Sequence, residues 1–166
     1  AATWTRRRCG RGSPATWGST WRALFSLGDG HARQGEGETC GVAVETAMNT
    51  VLAVDLVKGV PCAWPRLESA THIMSAGSAR PLEDAFRIAQ LDLVQWLAAD
   101  YGLDPLDAYQ LITQVVESPL ANVCDPNYTF VAKAPKRHLP GADVYARTRV
   151  AVKEVAQAYR SERGTA

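Results

Sequence analysis

The chain has 166 residues, enough for one domain that buries roughly 70% of its unfolded surface without disulfide or metal staples. Its 46% hydrophobic and 21% charged residues exclude a disordered or collagen-like chain, and no apolar run approaches the ~18 residues of a membrane span. The net charge of +1 conceals a division: residues 1–22 carry five arginines, three of the five tryptophans and no acid, while the other 13 basic residues share the rest of the chain with all 17 acids, a net −4. At face value such a head is an arm for nucleic acid or an anionic surface. The first residues contain no apolar stretch of the signal-peptide kind.

Residues 1–21 show no hydrophobic period of 2 or 3.6. Ala23–Leu27 then reads as a short apolar strand that runs into a loop from Gly28 to Gly41 with five glycines. Strands are expected over Val42–Glu45 and Thr50–Lys58; in the second, Leu52, Val54 and Leu56 share one face. Val60–Arg66, with two prolines, reads as a connection, and Glu68–Ser75 as a strand with Glu68, Ala70, His72 and Met74 on one side. A turn is expected over Ser75–Arg80.

The period then becomes helical. Pro81 suits a first helical position, and Leu82, Ala85, Phe86, Ala89, Leu93, Trp96 and Leu97 form a 3/4-spaced stripe ending at Gly102. Asp104-Pro105-Leu106-Asp107 is a helix start, with an N-cap acid, proline at N1 and a second acid near the positive end of the dipole. That helix is expected to reach about Glu117, before Ser118-Pro119. Tyr128–Lys133 reads as a strand, Pro135–Gly141 as a loop and Asp143–Tyr159 as an amphipathic helix. Strands followed by helices predict an α+β domain.

The richest stretch for chemistry is Gly28–Gly41. Asp29 and His31 stand two apart, so an extended backbone projects them to one side, and Glu36 and Glu38 repeat the arrangement. Such a pair with nearby carboxylates offers N and O ligands to a divalent ion such as zinc and a base for activating water. The competing reading is a solvated glycine-rich hairpin. His72 can complete a site with His31 or can be a hydrogen-bonded strand residue; Glu45 can face either the site or solvent. Cys9, Cys40, Cys62 and Cys124 contain no C-x-x-C, which argues against a cysteine-type structural zinc, and since nothing demands disulfides a reducing cytoplasm is the simpler expectation. Cys40, beside the loop, is a candidate nucleophile or an inert thiol. Lys133, Lys136, Arg137 and His138 form a small basic cluster that reads as a solvated edge.

A colinear series of motifs resembles the acetamidase/formamidase family. It comprises Ala23-Leu-Phe-Ser-Leu-Gly-Asp-Gly-His-Ala, Gln34-Gly-Glu-Gly-Glu, Cys40-Gly-Val-Ala-Val-Glu-Thr and Asp55-Leu-Val-Lys58. Trp64-Pro-Arg, Thr71-His-Ile-Met, Tyr101-Gly-Leu, Asp107-Ala-Tyr109, Asn122-Val-Cys-Asp-Pro-Asn-Tyr128 and Ala132-Lys-Ala-Pro-Lys136 continue it. The resemblance implies hydrolysis of short linear amides such as formamide and acetamide to the acid and ammonia. It assigns residues 23–166 to the C-terminal part of a larger β-rich enzyme, with a sandwich- or barrel-like site region followed by packing helices. Asp29, His31 and Glu38 are then expected at metal and water, with Asp29 and His31 as metal ligands and zinc as the metal, and Glu45, His72 and Cys40 at the substrate. A small amide is the expected partner, without nucleic acid or membrane. Half-domain surface left exposed leads us to expect a homo-oligomer.

Where that family has Gly-Gly-Asn-(Met or Leu)-Asp, this chain has Ala1-Ala2-Thr3-Trp4-Thr5. Back-translated and regrouped by one base, those codons can read Gly-Gly-Asn-(Met/Leu/Val)-Asp, and Thr16-Trp17-Gly18-Ser19-Thr20-Trp21 can read Tyr-Leu-Gly-Val-His-Val. Residues 1–22 therefore read as out-of-frame translation. The alternative reading keeps the basic arm as genuine and makes the chain a non-catalytic binding or assembly module that contacts nucleic acid.

Overall fold

A computed structural model describes residues 15–16, 30–33, 37–42, 44–47, 62–140, 154–155 and 157–162. Within them lie strands β1 (Ala15–Thr16), β2 (Gly30–Arg33), β3 (Val44–Thr46), β4 (Arg66–Glu68) and β5 (His72–Ala79), helices α1 (Leu82–Tyr101) and α2 (Pro105–Val115), and strands β6 (Leu120–Asn122) and β7 (Tyr128–Pro135). A 3₁₀ turn, Lys136–His138, follows. The strands expected over Ala23–Leu27 and Thr50–Lys58 lie outside the described residues. Of the expected Asp143–Tyr159 helix, the described residues 154–155 and 157–159 are helical.

The α+β expectation holds: an antiparallel five-stranded sheet in the order β1-β4-β5-β7-β6 carries the helices, and β2 and β3 form a separate two-stranded ribbon. Its centre is the β5–β7 pair, in register from His72↔Pro135 to Ala79↔Tyr128. Side chains alternate across these strands. One face presents Ile73, Phe130, Ala132 and Ala134 to Ala85, Ala89, Leu93, Trp96 and Leu97 of α1 and to Ala108 and Ile112 of α2. The other gathers Leu67, Met74, Ala76, Ala121 and Val131. A fully buried leucine such as Leu93 contributes about 1.5–3 kcal/mol by leaving water.

Two strand expectations need correction. Glu68–Ser75 is not one strand: the chain turns after Glu68, where Ser69 Oγ accepts from the backbone N–H groups of Thr71 (3.2 Å) and His72 (2.9 Å). The expected turn over Ser75–Arg80 is mostly strand, because β5 continues to Ala79. Its small residues permit this. A Cβ at Gly77 would come within 2.4 Å of the Ala85 carbonyl and 2.7 Å of the Ala89 nitrogen, so the bare glycine lets α1 lie directly on the sheet.

The helices follow their sequence signals closely. The predicted stripe is the buried face of α1 except for Leu82, which is partly buried, and Phe86, which is exposed and packs edge-on against Phe130 at 5.0 Å; Asp92 joins that face. Pro81 is the N-cap, one position before the first helical residue, and Gly102 closes the helix at φ +67°. Asp104 caps α2 by accepting from Leu106 N at 2.9 Å. This helix stops at Val115, two residues earlier than expected, because Glu117 leaves it to exchange backbone bonds with Lys133, both 2.9 Å.

A buried ion pair ties the sheet to α1. Arg66 of β4 donates through Nε and Nη2 to the two oxygens of Asp92 on α1, each at 3.0 Å, and Ser75 Oγ donates to Asp92 Oδ2 at 2.6 Å. The Arg66 guanidinium also lies 5.2 Å from the ring centre of Trp96. Both charged groups are buried, so their mutual compensation is a condition of packing the helix there.

Candidate functional site

The edge strand β6 holds the candidate site, and Glu38 reaches it from 84 positions away in sequence. The Glu38 N–H donates to the Ala121 carbonyl and its carbonyl accepts from Val123 N–H, both at 2.9 Å, a parallel bridge opposite Asn122. Gly37 makes the approach possible: its φ is +94°, and a Cβ there would stand 2.9 Å from the Leu120 carbonyl oxygen. Glu38 is thereby buried at 7% exposure although the neighbouring Thr39 and Cys40 are exposed.

Asn122, itself 1% exposed, organises what surrounds Glu38. Its Nδ2 donates to Glu38 Oε2 at 2.7 Å and to Asp125 Oδ2 at 2.8 Å. Its Oδ1 accepts from the backbone N–H groups of Cys124 and Asp125, both at 3.1 Å. All four hydrogen-bonding positions of the amide are used. The resulting turn brings a Glu38 oxygen, an Asp125 oxygen and the Cys124 sulfur within 4.8 Å of one another. Two carboxylates and a thiol are suitable ligands for a divalent cation, and the mixture of sulfur and oxygen suits zinc.

The other sequence candidates fall in several places. His31 and Glu45 stand opposite each other in the β2–β3 ribbon, whose register shifts between His31 and Arg33. The expected loop thus contains a strand at Gly30–Arg33, and the strand expected at Val42–Glu45 lies at Val44–Thr46. Asp29 lies outside the described residues. Cys40 is exposed, its sulfur 3.9 Å from the Val42 carbonyl.

His72 is not brought to Glu38. It pairs with Pro135, whereas Asn122 pairs with Thr129, six residues away along β7 and therefore about 20 Å distant. Its Nδ1 is 2.8 Å from Thr71 Oγ1 and its Nε2 3.4 Å from Glu117 Oε1. Lys133 Nζ donates to the other Glu117 oxygen at 2.6 Å, and chiefly this bond holds the Glu117 carboxyl below its ordinary range, with His72 adding a smaller pull. Lys136 pairs with Glu68. The basic cluster seen in sequence is thus an edge whose lysines meet acids.

Sequence reasoning selected Glu38 but assigned no role to Asn122, Cys124 or Asp125. The only signal for them was the motif Asn122-Val-Cys-Asp-Pro-Asn-Tyr128, since neither helical nor strand periodicity marks them.

No family model matches the chain, and no curated protein does. Among solved structures, it is similar to the acetamidase from Yersinia enterocolitica, at 52% identity and a TM-score of 0.64, over 67% of this chain and 34% of that one. A protein described as a predicted acetamidase/formamidase from Thermoanaerobacter tengcongensis is similar at 26% identity and a TM-score of 0.60, over 64% of this chain and 36% of that one. The chain spans about a third of the length of these relatives. No helix among the described residues is long and apolar enough to cross a membrane. By its sequence and its fold together, the chain belongs to the acetamidase/formamidase family.

Proposed function

We propose that this chain contributes catalytic residues to the hydrolysis of short linear amides, of the formamide and acetamide type, to carboxylate and ammonia. The observation that carries the reading is the buried Glu38 carboxylate, fixed by Asn122 Nδ2 at 2.7 Å beside a second carboxylate and a thiol. The relatives' names agree with it.

An unactivated amide resists water for two reasons. The carbonyl must accept negative charge as the nucleophile adds, and nitrogen must be protonated before it can leave. Glu38 is suited to the proton work: it accepts a proton from the attacking water and delivers it to the departing nitrogen. Its bond to Asn122 fixes the carboxylate while this happens, and its burial excludes competing solvent. Glu38, Cys124 and Asp125 would hold a divalent cation, which when bound supplies Lewis-acid polarisation of the carbonyl and of water. Two carboxylates bonded to one amide group beside a thiol form a donor set that suits a divalent cation. His31 and Asp29 remain proposed contributors from the β2 end of the loop.

The reading is tested by ammonia release from formamide and acetamide. It is measured on the chain, and on the chain joined to the part of the Yersinia enterocolitica acetamidase outside the match. Glu38→Gln is expected to lower turnover by about 10²–10⁴-fold while circular dichroism is unchanged. Undiminished turnover in that variant would remove Glu38 from the mechanism.

We also propose that residues 1–22 are read out of frame. The support is that a frame shifted by one base can encode both the family's Gly-Gly-Asn motif and a β alternation, neither of which residues 1–22 show. Sequencing the coding DNA across codons 1–25 and upstream decides it; a DNA sequence without that second reading overturns it.

A further inference from the structure

We propose that Asn122 is the positioning residue that assembles the cation site, an inference that rests on the proposed cation-assisted amide hydrolysis. The role follows from what one buried amide joins. Its nitrogen reaches both carboxylates, at 2.7 and 2.8 Å, so the separation of Glu38 and Asp125 is set by a single NH₂ group. Its oxygen holds the backbone of Cys124 and Asp125, at 3.1 Å each, and so fixes the turn from which the sulfur projects. Glu38 comes from a segment 84 positions earlier, whereas Cys124 and Asp125 follow Asn122 directly. The amide is therefore a side-chain link between the two halves of the donor set.

Only an amide combines these actions. Aspartate in its place keeps the two backbone acceptor bonds but turns both donors into a third negative oxygen, which repels Glu38 and Asp125. Leucine or alanine loses all four bonds. Asn122 contributes no ligand atom; it acts through the groups that do, and partners that orient metal ligands in this way govern affinity by about 10- to 100-fold.

Cobalt(II), a spectroscopic substitute for zinc, gives a readout independent of turnover. Titrated into the intact chain, it is expected to produce a thiolate-to-cobalt charge-transfer band that disappears in Cys124→Ser. Asn122→Ala is expected to weaken cobalt binding by about 10- to 100-fold. If that variant does not fold, Asn122→Asp, which retains the turn and so the sulfur but repels Glu38, is expected to keep the charge-transfer band while cobalt binds about 10- to 100-fold more weakly. If the wild type binds with the band and the folded Asn122 variants match it in affinity and spectrum, the positioning role is wrong while the cation site stands. If the wild type gives no band, or the band persists in Cys124→Ser, the cation site itself is wrong and the positioning role falls with it.

Discussion

Two carboxylate clusters in this molecule, one buried beneath α1 and one reaching from buried Glu38 to exposed Asp125, obey different logic. Beneath α1, one carboxylate, Asp92, meets one guanidinium through two bonds of 3.0 Å and a serine hydroxyl at 2.6 Å, so charge and hydrogen bonding both close. At the β6 edge, two carboxylates share one neutral amide, at 2.7 and 2.8 Å. The first cluster is compensated internally and serves packing. The second joins two carboxylates to one amide beside a thiol, the donor set of the proposed cation site. A buried acid is therefore a poor functional marker by itself; what else its partner group joins separates the two kinds.

The contrast is most open to attack at Asp92. Asp92→Ala removes the carboxylate that compensates the buried Arg66 guanidinium and is expected to destabilise the fold by about 3–5 kcal/mol, measured by denaturant unfolding. Ser75→Ala removes one bond to the same charged group while leaving the ion pair, and should cost about 1.5–3 kcal/mol. If either loss is negligible, the α1 cluster is not the compensated unit described above.

The β6 cluster should respond in the other direction. Glu38→Gln keeps an oxygen to accept from Asn122 but deletes one of the two like charges. Stability should be unchanged or rise by about 0.5–2 kcal/mol, as when a residue strained for function is relaxed. Asp92→Asn makes the same chemical change beneath α1 and should destabilise. Opposite signs for these two matched substitutions sharpen the comparison, and a common sign breaks it.

The same two clusters explain what the sequence could reveal. Helix α1 was legible because its stripe repeats locally, and both its closing Gly102 and the Asp104 cap of α2 act within two residues of their targets. The hairpin after Glu68 was not. Its turn rests on Ser69 Oγ rather than on glycine or proline, and Glu68, Ala70, His72 and Met74 alternate straight through it. Strand β6 was missed because three residues carry no period. Glu38 was legible as an acid in a glycine-rich motif, but its carboxylate is set by Asn122, and a contact across 84 positions leaves no local signature. Register is equally silent in sequence: His72 lies opposite Pro135 and Asn122 opposite Thr129, which sets them six residues apart along β7.

A third carboxylate, Glu117, extends the comparison to the surface, where the smallest effect is expected. It is half-exposed, and chiefly the Lys133 ammonium, then His72, holds its folded-state pKa below the ordinary 4.5. A depressed carboxylate stabilises the fold fully above its unfolded value. Its contribution is lost as pH falls through 4.5 toward and past the lower folded value. Water and salt screen such a pair, so Lys133→Met should lower stability near neutral pH by about 0.2–1 kcal/mol. The wild-type advantage should shrink as the solution is acidified below 4.5 and also as salt is added. Denaturation midpoints of wild type and variant across pH measure this directly. An advantage that persists in strong acid would show that Lys133 stabilises otherwise than through the Glu117 charge, and would break the reading of this pair as a screened surface ion pair.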